Sequence, residues 1–292
     1  MTSSRPSSLG LTVRALLLCV LVCLAVVAGA PAAEARAALP SSIAATGDSI
    51  TRGFNAGWRP YMDSPARSWV TGTDADVASL YRRISRRNPR MRGHRLNLAR
   101  SGSGVADLVR QAEGLRDRRV DYVTVLTGAN DVCGPSEGEM TSVASFRAGI
   151  ALGLESVHAA APRARVSVLS IPDVTRLFAL GRRSHTARAT WRTLAICPSL
   201  FARPTSSAPR DRARRERVAA RLAAFNAELG AACAARAWCE GDGGAVFAFP
   251  IAARHVSRRD FFHPSEAGQR ALADVAWRAA FLPDADALAP AP

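Results

Sequence analysis

Gly47-Asp48-Ser49 ends a run of small residues, Ser42 to Thr46, that reads as a buried strand. A serine at a strand-to-helix junction exposes its Oγ above the sheet edge. There it lies beside a helix N-terminus that favours negative charge. Gly47 permits a backbone conformation closed to other residues. These are the requirements of an acyl-transfer nucleophile, although Gly-Asp-Ser alone reads more readily as a turn. A nucleophilic serine needs a base, and Asp260-Phe261-Phe262-His263-Pro264 offers one. In a tight loop, a carboxylate three residues before an imidazole can accept from His263 Nδ1–H, which leaves Nε2 free to take a proton. Pro264 restricts His263 to an extended backbone. A tetrahedral intermediate also needs fixed donors around its oxyanion. The candidates are the Ser49 N–H, the Gly102 N–H and the side-chain amide of Asn130, which also fits as a turn residue closing a strand.

Other chemistries fit less well. A phosphate-cradling loop of the Gly-Lys-Ser/Thr type is excluded because the chain has no lysine. Ser101-Gly102-Ser103-Gly104 is out of register for the Gly-x-Ser-x-Gly elbow and lacks the third glycine of a dinucleotide loop. All five histidines follow Ser49, which excludes the chymotrypsin order of residues. His158 sits in a helical pattern as a surface residue. His94 and His185 lie in arginine-rich, solvated stretches. His255, five residues before Asp260, is the one rival base.

These residues need a scaffold. Strands are expected at Ser42–Thr46, Leu96–Ala99, Val120–Leu126 and Val166–Ile171, with a fifth at Ala245–Phe249. Apolar spacing predicts helices at Val105–Leu115, Phe146–Ala161, Arg214–Arg236 and Ser265–Phe281, the last capped by Ser265. Strands alternating with helices imply a parallel sheet covered on both faces. Active residues then gather beyond the strands' carboxyl ends, where Ser49, Gly102 and Asn130 all fall. Thr175 to Arg212 shows no clear period and reads as a long insertion bordering the cleft.

Taken together, the motifs resemble the SGNH or GDSL hydrolases. The matching blocks are Gly47-Asp48-Ser49-Ile50-Thr51-Arg52-Gly53, Asn97-Leu98-Ala99-Arg100-Ser101-Gly102, Gly128-Ala129-Asn130-Asp131 and Asp260-Phe261-Phe262-His263-Pro264-Ser265. They occur in family order and span nearly the whole chain after its N-terminal segment. The resemblance implies an α/β fold, a three-layer α/β/α sandwich with a parallel flavodoxin-like sheet. It also implies a Ser49–His263–Asp260 triad and an oxyanion hole of Ser49, Gly102 and Asn130. It implies no metal, no cofactor and a monomer acting on a small-molecule or lipid ester. Ile50 replaces the leucine of the family name, and Arg100 stands where some secreted members carry a cysteine. The expected activity is secreted ester hydrolysis of the esterase or lipase kind. Deacetylation of an acetylated polysaccharide is the alternative within the family. An inactive binding protein on the same scaffold is the alternative outside the enzymes. Phe54, Trp58, Trp69, Phe178 and Trp191 are candidates to line an acyl pocket, though aromatic residues are more often core.

The remaining composition places the chain. With 292 residues and 48% hydrophobic content it is long enough for one large core. Residues 1–35 read as a secretory signal peptide: Arg5 and Arg14 precede an apolar run from Ala15 to Val27, followed by small-residue cleavage contexts. That run is shorter than the roughly 20 residues needed to span a bilayer. Residues 36–283 form the expected hydrolase domain, and 284–292 a flexible tail. The net charge of +15 comes entirely from arginine on the basic side. Those arginines are scattered and lack an aromatic stacking ladder, which argues against nucleic acid and leaves weak attraction to anionic surfaces. Beyond the leader lie Cys133, Cys197, Cys233 and Cys239, an even set for an exported protein. Of three possible pairings, the short loop favours Cys233–Cys239 together with Cys133–Cys197.

Overall fold

In the computed structural model, residues 38–282 are described; the expected leader, 1–35, and tail, 284–292, lie outside them. Five parallel strands form the sheet: β1 (Ile43–Gly47), β2 (Arg95–Asn97), β3 (Tyr122–Leu126), β4 (Arg165–Val168) and β5 (Cys239–Gly241), in the order β2-β1-β3-β4-β5. The helices are α1 (Ser49–Arg52), α2 (Leu80–Arg87), α3 (Leu108–Glu113), α4 (Ala129–Val132), α5 (Val143–Ala160), α6 (Val174–Gly181), α7 (His185–Thr193), α8 (Pro198–Phe201), α9 (Pro209–Ala234), α10 (Ala245–Ala248) and α11 (Glu266–Phe281). The arrangement is the expected flavodoxin-like α/β/α sandwich.

Every residue of β1 and β3 is buried, as central parallel strands covered on both faces require. Their register pairs Ala44 with Val123 and Gly47 with Leu126. On one face α5 packs against α3 and α9, with Phe146 stacked on Phe225 at a centroid separation of 4.0 Å. Truncating such a buried ring costs about 3–5 kcal/mol. On the other face α11 packs against α2 and α10.

Two sequence expectations are corrected. Ala245–Phe249 is not the fifth strand; Ala245–Ala248 is helix α10, and the edge strand is Cys239–Gly241. Asp242 explains the helix, because its carboxylate accepts from the N–H groups of Gly244 and Val246 and so initiates a turn. Thr175–Arg212 is not aperiodic: it holds most of α6, all of α7 and α8, and the start of α9, with Pro209 in its first turn. Two disulfides are present, Cys133–Cys197 and Cys233–Cys239. The first closes a separation of 64 residues, worth about 4 kcal/mol in the chain-entropy account. It ties the end of α4 to the start of α8. No helix among the described residues is long and apolar enough to cross a membrane.

Candidate active site

The sheet order reverses between β1 and β3, and Ser49 sits at that switch point as the first residue of α1. The turn into α1 is tightly specified. Gly47 has φ of 139°, and a Cβ there would lie 2.3 Å from the Leu126 carbonyl oxygen. Gln111 of α3 clamps the same residue on both sides: Gly47 N–H donates to Oε1 at 2.7 Å, and Nε2 donates to the Gly47 carbonyl at 2.8 Å. Asp48 caps the helix by accepting from Ile50 N–H at 2.8 Å. From α11, buried Gln269 donates to the Ile50 carbonyl and accepts from Trp69 N–H. Asn97 at the end of β2 donates to the Thr51 carbonyl at 3.1 Å.

The loop before α11 brings the second half of the site. His263 Nε2 lies 2.8 Å from Ser49 Oγ, and Nδ1 lies 2.6 Å from Asp260 Oδ2. Asp260 Oδ1 accepts from the N–H groups of Phe262 and His263, both at 3.0 Å. Asn55 Nδ2 donates to Asp260 Oδ2. Burial pushes the Asp260 carboxyl up, but the bond from His263 and those from Asn55 and Phe262 outweigh it and hold it below its ordinary range. Asp260 therefore remains a carboxylate able to fix the imidazole tautomer. The rival His255 points elsewhere: its Nδ1 accepts from Ala252 N–H at 3.1 Å, and burial followed by the nearby Arg254 charge lowers its pKa.

The expected oxyanion donors cluster at the ends of β1, β2 and β3. Ser49 N–H, in the first turn of α1, has no intrahelical acceptor. Gly102 has φ of 84°, and among the described residues its N–H has no protein acceptor. Asn130 Nδ2 donates to the Ser103 carbonyl at 2.8 Å, which orients the amide and leaves its second hydrogen unused. Of the aromatic candidates, Phe54 flanks the His263 ring at 4.7 Å. Trp69 is buried core, Trp191 is buried against Phe201, Phe178 lies under the Arg215 guanidinium, and Trp58 is exposed.

Sequence reading missed two participants. Asn55 has no motif around it and reaches Asp260 across 205 residues; its positive φ is the one local peculiarity. Asp48 lies within the motif, but its state comes from the fold. It is fully buried, and that desolvation raises its pKa to about 7 against the opposing Ile50 N–H bond and His263 charge. Its Oδ2 has no partner among the described residues. No three metal-binding side chains converge among the described residues.

A doubly wound sheet carrying a hydrogen-bonded serine, histidine and aspartate at its switch point defines the class of the molecule. The chain matches the GDSL-like lipase/acylhydrolase family over residues 45–271 and belongs to that family. It is 27% identical over 192 residues to the membrane-associated phospholipase B1 of Rattus norvegicus, a stretch covering 54% of this chain and 13% of that protein. The chain thus spans a small part of that relative's length. Among solved structures, it is similar to an extracellular lipase from Streptomyces rimosus, with 17% identity, 80% of this chain and 97% of that chain covered, and a TM-score of 0.45. A phospholipase A1 from Streptomyces albidoflavus NA297 gives the same identity, coverage and TM-score.

Proposed function

We propose that this protein is an exported carboxylic ester hydrolase that works through an acyl-enzyme on Ser49. The observation that carries the reading is the continuous relay from Ser49 Oγ through His263 to Asp260, at 2.8 and 2.6 Å. His263 Nε2 removes the Ser49 proton as Oγ attacks the ester carbonyl. Asp260 holds the ring in the required tautomer and stabilises the imidazolium. The N–H groups of Ser49 and Gly102 and the Asn130 amide receive the developing oxyanion. The imidazolium then protonates the leaving alcohol, and water, activated by the same histidine, releases the acid and restores Ser49. The two disulfides fit an oxidising compartment, and with the signal-like residues 1–35 they support export.

Lipid esters are the favoured substrates. Phe54 and Phe262 flank the His263 ring at 4.7 and 5.1 Å, an apolar surround suited to an acyl chain. A p-nitrophenyl ester series from acetate to palmitate tests this. Turnover rising beyond acetate, and falling by roughly 10⁴-fold or more in Ser49→Ala, is the expected result. Activity confined to acetate, with acetate release from acetylated xylan or peptidoglycan, would move the assignment to polysaccharide deacetylation. A Ser49→Ala variant that keeps most of its turnover would remove the proposal.

A further inference from the structure

The segment between α1 and α2 begins with a loop that folding pins in place while its apolar side chains face outward. Trp58 is 77% exposed, Tyr61 53% and Met62 48%. Scattered exposed apolar residues are ordinary, but three within five positions form a patch. The backbone beneath them is fixed. Arg259 donates to the carbonyls of Asn55, Gly57, Trp58 and Arg59, Tyr61 OH donates to the Arg259 carbonyl, and Tyr61 N–H donates to Asn55 Oδ1. A loop ordered this firmly holds its side chains in water rather than letting them collapse inward.

Its surroundings are amphipathic and cationic. Beside it runs a groove of about 680 Å³, lined by Leu177, Leu180, Val256 and Phe261 with Arg254 and Arg258 exposed at its edge. Leu180 is itself 43% exposed. Arg59 lies over the Trp58 ring at 4.7 Å. Among the described residues, Arg254 and Arg258 face no acidic partner within salt-bridge distance. The nearby acids are already engaged: Asp63 with Arg52, and Glu266 with Arg67. Trp and Tyr with flanking arginines are the residues that settle at a membrane–water boundary, where the rings sit at headgroup level and the guanidinium groups meet phosphates.

The loop also borders the candidate site at both ends. Asn55 donates to Asp260, and Asp63 accepts from Ser101 Oγ at 2.5 Å, one residue before Gly102. We propose that residues 55–63, with Leu180, Arg254 and Arg258, form a docking surface for an anionic lipid–water interface and present Ser49 to ester molecules within it. The inference rests on the lipid-ester reading of the site and names where that substrate is met.

The test uses Ser49→Ala protein, so binding is read without turnover, in co-sedimentation with phosphatidylcholine vesicles containing about 30% phosphatidylglycerol. The parent is expected to bind these vesicles more tightly than pure phosphatidylcholine. Adding Trp58→Ser and Met62→Ser should weaken partitioning by about tenfold or more. Leu152→Ser, at an equally exposed leucine on α5 in the opposite helical layer, should leave it unchanged. Thermal midpoints of all variants confirm that each is folded. Absence of vesicle binding, equal binding by the double variant, or an equal loss with Leu152→Ser would overturn the proposal, the second assigning the attraction to diffuse charge and the third to apolar exposure anywhere on the surface. Vesicle binding by a protein whose wild-type form hydrolyses no ester would overturn the functional reading and leave the docking surface standing. Ester turnover without vesicle binding would do the reverse.

Discussion

The two halves of the site are held by different means. Ser49, Gly102 and Asn130 lie within five residues of the ends of β1, β2 and β3, so the backbone ladder of the sheet sets where their segments leave it. Asp260 and His263 sit on a loop with no strand beneath it. Among the described residues one isolated bridge, Val256 to Pro264, and side-chain bonds to the distant Asn55 hold it: Asn55 donates to Asp260, and the loop's own Arg259 and Ser257 donate to the Asn55 carbonyl. The ladder positions its residues with the stability of the whole domain. The clamped loop depends on a few hydrogen bonds and can fail locally, because stability is not uniform across a fold.

That contrast can be broken from either side. Asp260→Asn acts on the clamped half and has the largest expected effect. The amide can still accept from the Phe262 and His263 N–H groups, but it no longer favours the reactive tautomer. A loss of about 10⁴-fold in kcat on a soluble p-nitrophenyl ester is expected, together with a lower thermal midpoint at neutral pH, where the ionised carboxylate contributes to stability. Asn130→Ala acts on the ladder half. It should lower kcat by about 10²–10³-fold with KM nearly unchanged, since an oxyanion donor works only in the transition state. A change in KM alone would place Asn130 in substrate binding instead.

Asn55 probes the clamp itself. Asn55→Ala should reduce kcat by about tenfold through loss of order in Asp260, with no comparable loss of global stability. Asn55→Asp would set a second carboxylate against Asp260 and should cost more than Asn55→Ala, because like charges at contact disfavour the ionised pair. Equal losses in the two variants would show that this contact does not govern the loop.

The smallest effect concerns Asp48. Its folded pKa, about 7, lies above its ordinary value of 3.8, so between those pH values the folded protein holds a proton that the unfolded chain has released. Its contribution to stability therefore declines as pH rises through that window and levels off above it. Asp260 runs the opposite way: its depressed pKa contributes stability that is lost only as pH falls through the folded value. Asp48→Asn should flatten the decline in thermal midpoint between about pH 5 and pH 7. An unchanged slope would assign the decline to other groups.

The same division governs what was legible in the sequence. β1, β3 and β4 announce themselves as continuous apolar runs because both of their faces are covered. β5 does not: Cys239-Glu240-Gly241 is a three-residue edge strand with no apolar run, while the nearby Ala245–Phe249 run is diverted into α10 by the Asp242 cap. α6, α7 and α8 are only eight, nine and four residues long, too short for an apolar period to stand out. The ends of β1, β2 and β3 carry Ser49, Gly102 and Asn130 on glycine-marked turns, so chain order alone brings them together. The Asp260–His263 spacing is local and equally legible. Asn55, Gln111 and Gln269 act across long separations through ordinary amide side chains, and no local pattern distinguishes them from surface residues. Asp48 could be read as part of a motif, but its raised pKa depends on burial that only the packed fold creates.

The central claim is that the relay makes Ser49 the one nucleophile. Incubation with a fluorophosphonate, followed by intact-mass measurement and peptide mapping, tests it without any assumption about acyl length. The account predicts a single adduct on Ser49, absent in Ser49→Ala and strongly slowed in His263→Ala. A folded wild-type protein that takes up no adduct, or that carries it on another residue, would contradict it.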